Sequence, residues 1–470
     1  MWLINTTTLH LEYFIVPPDQ YAILSHVWQD EEVTFEEMHN KQDTIRGKAG
    51  FAKIQQCCKA ALGLFQMEHA WIDTCCIDKK SSAELSEAIN SMFRWYSQAY
   101  VCIIYLYDVT ATSGCPTLDM VLESSLEDRG AKASLDPAFQ SESFQQSRWF
   151  RRGWTLQELI APARKYFFSR TWTYLGTIVR EHSSNVSKQT LPSLVEAVHR
   201  ACEVPKTLLT DFWLDVSKFS VSERMSWASS RSTTRPEDTA YSLMGLFDVS
   251  MPILYGEGER KAFGRLQEEM LKMSFDASIF LWQGPRGIFE TIQSGSGIFA
   301  SSPRHYASVP RTEPYITSEL APSLITNFGV SVGVWLVLRD KHVVKAEQDR
   351  SYGFELYGFE LPKTHVAYLP CSDRAHNNRS QRAGIWLCSI NTTTILINGA
   401  SCRAYRRAAP WEIVLTSEDD QDLQKAPYTQ IIILTDEQHR LIDKQSTEHT
   451  TMLLDGELSP AYRTDDWAEL

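Results

Sequence analysis

Val101-Cys-Ile-Ile-Tyr-Leu-Tyr107 is a continuous apolar run of strand length. Such a run, apolar on both faces, belongs in the middle of a parallel sheet. Toward the N-terminus, Tyr21-Ala-Ile-Leu-Ser25 and Ala70-Trp71-Ile72 read as two more strands. Between them Phe51, Ile54, Cys58, Ala61, Leu62 and Phe65 recur at helical spacing. Ser81-x-x-Glu84 has the form of a capping box, opening a helix with Leu85, Ile89, Met92, Phe93 and Tyr96 on one face. Beyond Tyr107, the polar residues 110–147 read as loops or a weak insertion. A short helix near 155–161 and a strand at 165–169 follow. This strand–helix–strand repetition predicts a parallel sheet with helices on both faces.

The pattern then changes twice. From about 176 to 284 it is helical, with Leu194, Val195, Val198 and Cys202 on one stripe and Phe263, Leu266, Met270 and Met273 on another. Pro236 precedes a further helix through Met244, with Gly245 as its stop. From about 285 to 470, β-branched and aromatic runs at 330–338, 384–390 and 429–435 alternate with Pro, Asn, Gly and Asp clusters, which predicts an antiparallel β-rich domain. The expected organisation is an α/β domain over 1–175, a helical region over 176–284 and a β domain over 285–470.

Composition narrows the function. With 43% hydrophobic and 22% charged residues, the chain of 470 residues has the balance of a soluble globular protein, not of a disordered or fibrous one. A net charge of −12 argues against a nucleic-acid partner. No basic segment followed by an apolar one opens the chain, and no apolar run approaches the ~20 residues a membrane span needs. The 10 cysteines include the pairs Cys57–Cys58 and Cys75–Cys76, but no CxxC and no zinc spacing. The expectation is a reduced, cytoplasmic protein with no membrane span, no metal and no bound cofactor.

Three segments carry candidate chemistry: Tyr21-Ala-Ile-Leu-Ser-His-Val-Trp28, Trp71-Ile-Asp-Thr-Cys-Cys-Ile-Asp78 and Arg148-Trp-Phe-Arg-Arg-Gly-Trp-Thr-Leu-Gln-Glu-Leu159. Ligands of open parallel sheets bind beyond the carboxyl ends of the strands. That rule gathers Ser25, His26, Trp28, Asp73 and Glu158 along one rim. Each also has a structural reading. Trp28 and Trp71 serve equally as core aromatics, His26 as a strand-end cap and Asp73 as a turn residue. Glu158 closes a capping box in Thr155-Leu-Gln-Glu158. The Arg148–Arg152 run is either a solvated face or a phosphate holder. Gly256-Glu-Gly258 lacks the lysine and strand of a P-loop. A cysteine nucleophile at Cys75 or Cys76 has only His69 nearby in sequence.

In order and spacing these segments resemble the fungal heterokaryon-incompatibility (HET) domain, whose motifs take the form Y-x-x-L-S-x-x-W, W-I-D-x-x-C-I-D-Q and R-G-W-T-L-Q-E-L. The chain departs at Gln29, where the family often has Gly, and at Lys79, where it often has Gln. Residues 235–248, 255–258, 265–270 and 278–282 also resemble the segment that commonly follows such domains. The resemblance implies self/non-self recognition and programmed cell death in filamentous fungi, a form of innate immunity. It also implies self-association through the domain and an allelic protein partner.

HET domains are in turn distantly similar to Toll/interleukin-1 receptor (TIR) domains, which have a flavodoxin-like fold. Leu24-Ser25-His26 and Gly153-Trp-Thr-Leu-Gln-Glu-Leu159 resemble TIR patterns, and many TIR domains cleave NAD at the nicotinamide–ribose bond. By that resemblance Glu158 is the catalytic carboxylate and NAD the substrate. Ser25, His26, Trp28 and Asp73 would then line the substrate site. From chemistry alone, Trp28 or Trp154 suits ring stacking, and Arg148, Arg151 or Arg152 suits the pyrophosphate. The alternative is a non-catalytic assembly module that kills through partners.

Overall fold

The computed structural model describes residues 1–40, 42–111, 116–123, 142–180, 193–284, 297–314, 323–326, 329–344, 359–373, 381–397, 400–407, 413–417, 420–426 and 428–433. They pack as two units, one drawn from Met1–Met270 with Ser301–Ser308 and the other from Leu271–Ala300 with Val309–Leu470. The helical residues between Val195 and Met270 share the first unit with the α/β sheet.

That sheet has seven described strands: Trp2–Asn5 (β1), Leu11–Tyr13 (β2), Ala22–His26 (β3), His69–Trp71 (β4), Val101–Leu106 (β5), Arg164–Ser169 (β6) and Tyr174–Val179 (β7). Their order is β2-β1-β4-β3-β5-β6-β7. The strands read from apolar runs are parallel, β3 with β4, β3 with β5 and β5 with β6. β1, β2 and β7 pair antiparallel at the edges, so the sheet is mixed. These three strands were not legible as apolar runs. The β1–β2 turn is fixed by the Asn5 side chain, which accepts from the Thr7 and Thr8 amides at 3.1 and 3.0 Å.

From β3 the chain moves to β4 through helix Ala49–Phe65, then returns across β3 to β5 through helix Ser82–Gln98. Parallel crossovers keep one hand, so this reversal sends the two helices to opposite faces. It also opens a crevice at the carboxyl end of β3, the usual place for a ligand in such a sheet.

Local chemistry sets each helix. Ser81 caps Ser82–Gln98 by accepting the Glu84 amide at 3.3 Å. The Glu84 carboxylate takes the Asp78 amide at 3.2 Å instead of turning back on Ser81, so only half of the expected capping box forms. This helix buries Trp95 and Tyr96 edge-on against Trp71, with centroids 5.6 and 5.9 Å apart. Helix Ala49–Phe65 buries Phe51, Ile54, Cys58 and Ala61 and ends on Gln66 at φ 57°. The helix expected from Pro236 through Met244 is instead a turn of α-helix, Asp238–Tyr241, followed by a 3₁₀ turn at Met244–Leu246. Gly245 lies inside that second turn, where a Cβ would sit 2.1 Å from the Phe93 Cβ. Close packing on Phe93, not a helix stop, explains the glycine.

The second unit holds Thr312–Pro314 (β8), Leu324–Thr326 (β9), Gly329–Val344 (β10), Phe359–Asp373 (β11), Gln381–Ile397 (β12), Ala400–Arg407 (β13), Ile413–Ser417 (β14) and Tyr428–Ile433 (β15). The pairings are antiparallel except for the parallel β13–β15 pair. They close a circuit, β10-β11-β12-β13-β15 and back to β10. Part of the 429–435 strand reading lies outside the described residues, as does most of 110–147.

Gly50 marks where the helix after β3 meets the loop that carries Glu32. A Cβ there would lie 2.7 Å from the Glu31 carbonyl oxygen and 2.9 Å from the Glu32 Cα, both backbone atoms. Gly50→Ala is expected to destabilise the first unit by roughly 1–3 kcal/mol, the scale of overpacking. Urea denaturation measures this; an unchanged midpoint would mean the loop yields freely.

Candidate functional site

β3 is buried along its whole length, yet it ends in two polar residues, Ser25 and His26. Neighbouring side chains on a strand point to opposite faces. The strand therefore delivers one polar group to each layer of helices, and each group builds its own cluster.

On one face the Trp149 indole Nε1 donates to Ser25 Oγ at 2.8 Å, and the Ser25 hydroxyl donates to Glu158 Oε2 at 2.5 Å. Trp149 comes from the 3₁₀ turn Arg148–Arg151 and Glu158 from the short helix Thr155–Ile160. The Tyr96 hydroxyl, which donates to the Leu24 carbonyl at 2.9 Å, borders the same carboxyl. Ser25 and Trp149 are fully buried and Glu158 is 6% exposed. Burial pushes the Glu158 carboxyl up, the nearby Asp73 charge adds to this, and the Ser25 bond and Arg152 oppose it. The result is about 8, so Glu158 holds its proton at neutral pH.

The capping-box reading of Glu158 is not what the structure contains. The N-cap of Thr155–Ile160 is Trp154, and Thr155 donates its hydroxyl to the Trp149 and Arg152 carbonyls at 2.5 and 2.9 Å. Glu158 is thereby released from any capping duty and turns to Ser25.

On the other face the Lys53 ammonium donates to His26 Nδ1 at 2.7 Å and also holds Glu32. With Nδ1 accepting, the network assigns the ring proton to Nε2, which donates to Asp73 Oδ1 at 2.9 Å. Burial and the Lys53 charge push the His26 pKa down, so the ring is neutral. Asp73 follows β4 and also accepts the Trp28 indole at 2.7 Å. Burial would raise Asp73, but His26, the Lys79 ammonium and the Trp28 indole outweigh it and bring it to about 2. Trp28 is 42% exposed, with the Lys79 ammonium 3.6 Å from its ring centroid. Lys79, a departure from the family pattern, thus forms a cation–π contact on the open side.

Of the predicted residues, Ser25 and Glu158 meet directly, and His26, Trp28 and Asp73 form the second cluster. Trp154 and Arg152 turn elsewhere, to Asp238 Oδ2 at 3.1 Å and Thr234 Oγ1 at 2.9 Å. Sequence reasoning singled out neither Lys53 nor Trp149. Lys53 had a signal: Cys57 and Ala60, one and two turns on, are apolar, which places its stem on a buried stripe. Cys75 is no nucleophile in this arrangement, because burial raises its thiol well above the usual range. Among the described residues no group of His, Cys, Asp and Glu could hold a metal ion, and no helix is long and apolar enough to cross a membrane.

Residues 21–158 match the model of a family described as Heterokaryon incompatibility protein (HET). Over 259 residues, 55% of its length, the chain is 42% identical to the Vegetative incompatibility protein HET-E-1 of Podospora anserina. It spans 16% of that protein's length. No solved structure matches it.

The raised Glu158 has a sign that can be tested. Its folded pKa lies above the unfolded value near 4.5, so its contribution is present below that value and lost as pH rises through about 8. Glu158→Gln, neutral at every pH, removes this loss. The expected outcome is a melting temperature for Glu158→Gln that gains on wild type between about pH 4.5 and 8, the window set by those two values, and levels off above it. A constant difference across that range would place the carboxyl in water.

Proposed function

We propose that this chain, a fungal heterokaryon-incompatibility protein by the match of its residues 21–158, is a self/non-self recognition and cell-death effector that cleaves NAD at the nicotinamide–ribose bond with Glu158. One observation carries the reading: a buried carboxyl hydrogen-bonded by Ser25 at the switch point of a parallel sheet, with its pKa moved to about 8. A carboxyl perturbed by burial in such a position is a candidate functional group on physical grounds. The order of the parallel strands, β4-β3-β5-β6, is that of the first four strands of a flavodoxin-like sheet, which favours the TIR-like comparison. The antiparallel β7 stands where a fifth parallel strand would run.

The chemistry follows from charge. Breaking the glycosidic bond develops positive charge on the ribose, and departure of nicotinamide neutralises its pyridinium. A carboxylate facing the ribose stabilises that charge as it forms. Glu158 must therefore give up its proton, and the cationic nicotinamide ring entering beside it favours the ionised form. Ser25 steadies the carboxylate by donation. Trp28, already exposed, offers a ring face, and Lys79 beside it offers a cation to the pyrophosphate. Cytoplasmic action, self-association and an allelic partner belong to the same reading. The name of the Podospora relative supports the incompatibility role, and the alternative of a non-catalytic assembly module shares that support.

The two readings part on nicotinamide release by the purified full chain. Catalysis predicts release that Glu158→Gln lowers by roughly 10²–10³, the loss of one electrostatic contact to the transition state. It also predicts rates that climb about tenfold per pH unit up to near 8, as the carboxyl ionises. Release within a few-fold of wild type in Glu158→Gln, with the protein self-associated, would return the chain to the assembly reading.

A further inference from the structure

Near the carboxyl ends of β3 and β4, Lys53 holds Glu32 and Lys80 holds Glu36. Lys79 holds no carboxylate. Its exposed ammonium sits on the Trp28 ring, 3.6 Å from the centroid, and makes no hydrogen bond or ion pair among the described residues. Asp73 feels this charge, but its two oxygens are taken by His26 and Trp28. The three N–H donors of Lys79 are therefore open to an outside acceptor. The ring beneath is fixed: Trp28 is tied through Nε1 to Asp73, Asp73 to His26, and His26 to Lys53. This chain of bonds runs from a buried lysine to a side chain 42% exposed. It holds a half-open indole in one orientation, and donation to a carboxylate makes the indole face richer in electrons, which favours a cation.

A face suited to a cation and already holding one sets up a competition. A cationic aromatic ring stacks on Trp28 only if Lys79 leaves, or shares the same π density at a cost to both. Lys79 has a flexible stem and unused donors, so an anion is what draws it away. We propose that Lys79 gates the Trp28 ring, excluding a cationic aromatic ring until a phosphate group draws the ammonium off, so that the site selects ligands carrying both. The inference rests on the NAD reading for its ligand, since NAD joins a pyridinium to a pyrophosphate. It deepens that reading by making the two ends of the substrate cooperate through one side chain. Cleavage would remove the pyridinium charge, and with it the ring's advantage over Lys79. Because Lys79 stands where the HET family often has Gln, the gate belongs to this chain and not to the family at large.

The test measures equilibrium binding to the full chain, with N-methylnicotinamide as the cationic ring and inorganic pyrophosphate as the anion. The Trp28 indole signal in the NMR spectrum, assigned by its loss in Trp28→Phe, reports occupancy of the ring. In wild type, saturating pyrophosphate is expected to tighten N-methylnicotinamide about threefold, the scale of one exposed cation–π contact, and the converse holds by linkage. In Lys79→Gln, N-methylnicotinamide should bind about threefold more tightly than to wild type without pyrophosphate, and pyrophosphate should add nothing. Lys79→Arg keeps a cation on the ring and should keep the coupling. Lys79 is exposed, so neither change threatens folding. No N-methylnicotinamide binding up to about 10 mM in either wild type or Lys79→Gln would overturn the proposal. So would coupling of equal size in the two, or affinity in Lys79→Gln no tighter than in wild type. No turnover is involved, so the two readings fail separately. NAD cleavage without coupling removes the gate and leaves the NAD reading, whereas coupling without cleavage keeps the gate on a chain that binds such a ligand intact.

Discussion

The hydrogen bond from Ser25 to Glu158 joins the end of β3 to a helix 133 residues later, and the first unit is arranged around it. The bond exists because β3 is buried on both sides, which forces any polar residue at its end to find a partner within the protein. Trp149 donates to one of the serine's lone pairs and so fixes the direction of the hydroxyl's own donation. Because Trp149 and Glu158 flank Gly153 in one short segment, a single piece of chain supplies both partners. That segment is clamped in turn: the Gly153 amide donates to the Ser232 carbonyl at 2.8 Å, and a Cβ at Gly153 would lie 2.5 Å from the Thr233 methyl.

Two carboxyls near the same strand end are driven in opposite directions. Asp73 has donors on both oxygens and a lysine close by, and stays a permanent anion. Glu158 has one hydroxyl donor and little water, and keeps a proton. Such divergence separates a fixed charge from a titrating one, the division of labour seen wherever one site needs both. The neutral His26 between Lys53 and Asp73 works as a spacer. It passes polarisation from a buried ammonium to a carboxylate without itself carrying charge.

Apolar continuity made β3 and β5 readable, and helical spacing made the two crossovers readable, because burial on a sheet face imposes both patterns. β1 and β2 escaped because they are short and only partly buried, so their composition resembles loop, and β7, though buried at five of its six positions, is interrupted by Gly176 at φ 147°. Ser25, His26 and Asp73 were legible as polar residues at strand ends. Their division between two faces follows from the two-residue period of a strand and was not drawn out. Glu158 was ambiguous for a physical reason: Thr-x-x-Glu is equally the signature of a cap and of a carboxyl projecting from a first turn. Only the position of Trp154 as the N-cap separates them.

The closed circuit of the second unit has a consequence in time. β10 pairs with β15 through Val330 and Ile433, residues about a hundred positions apart, so the ring is completed by the last of the described strands. A chain emerging from the ribosome can fold β10, β11 and β12 against one another as neighbours in sequence, but it cannot seal them until β15 has been made. Until then β10 presents a bare edge of backbone donors and acceptors, the surface on which strands from other chains most readily add. The interval between synthesis of β10 and β15 is therefore when this unit is most exposed to mispairing, and the speed of translation over that stretch bears directly on its yield.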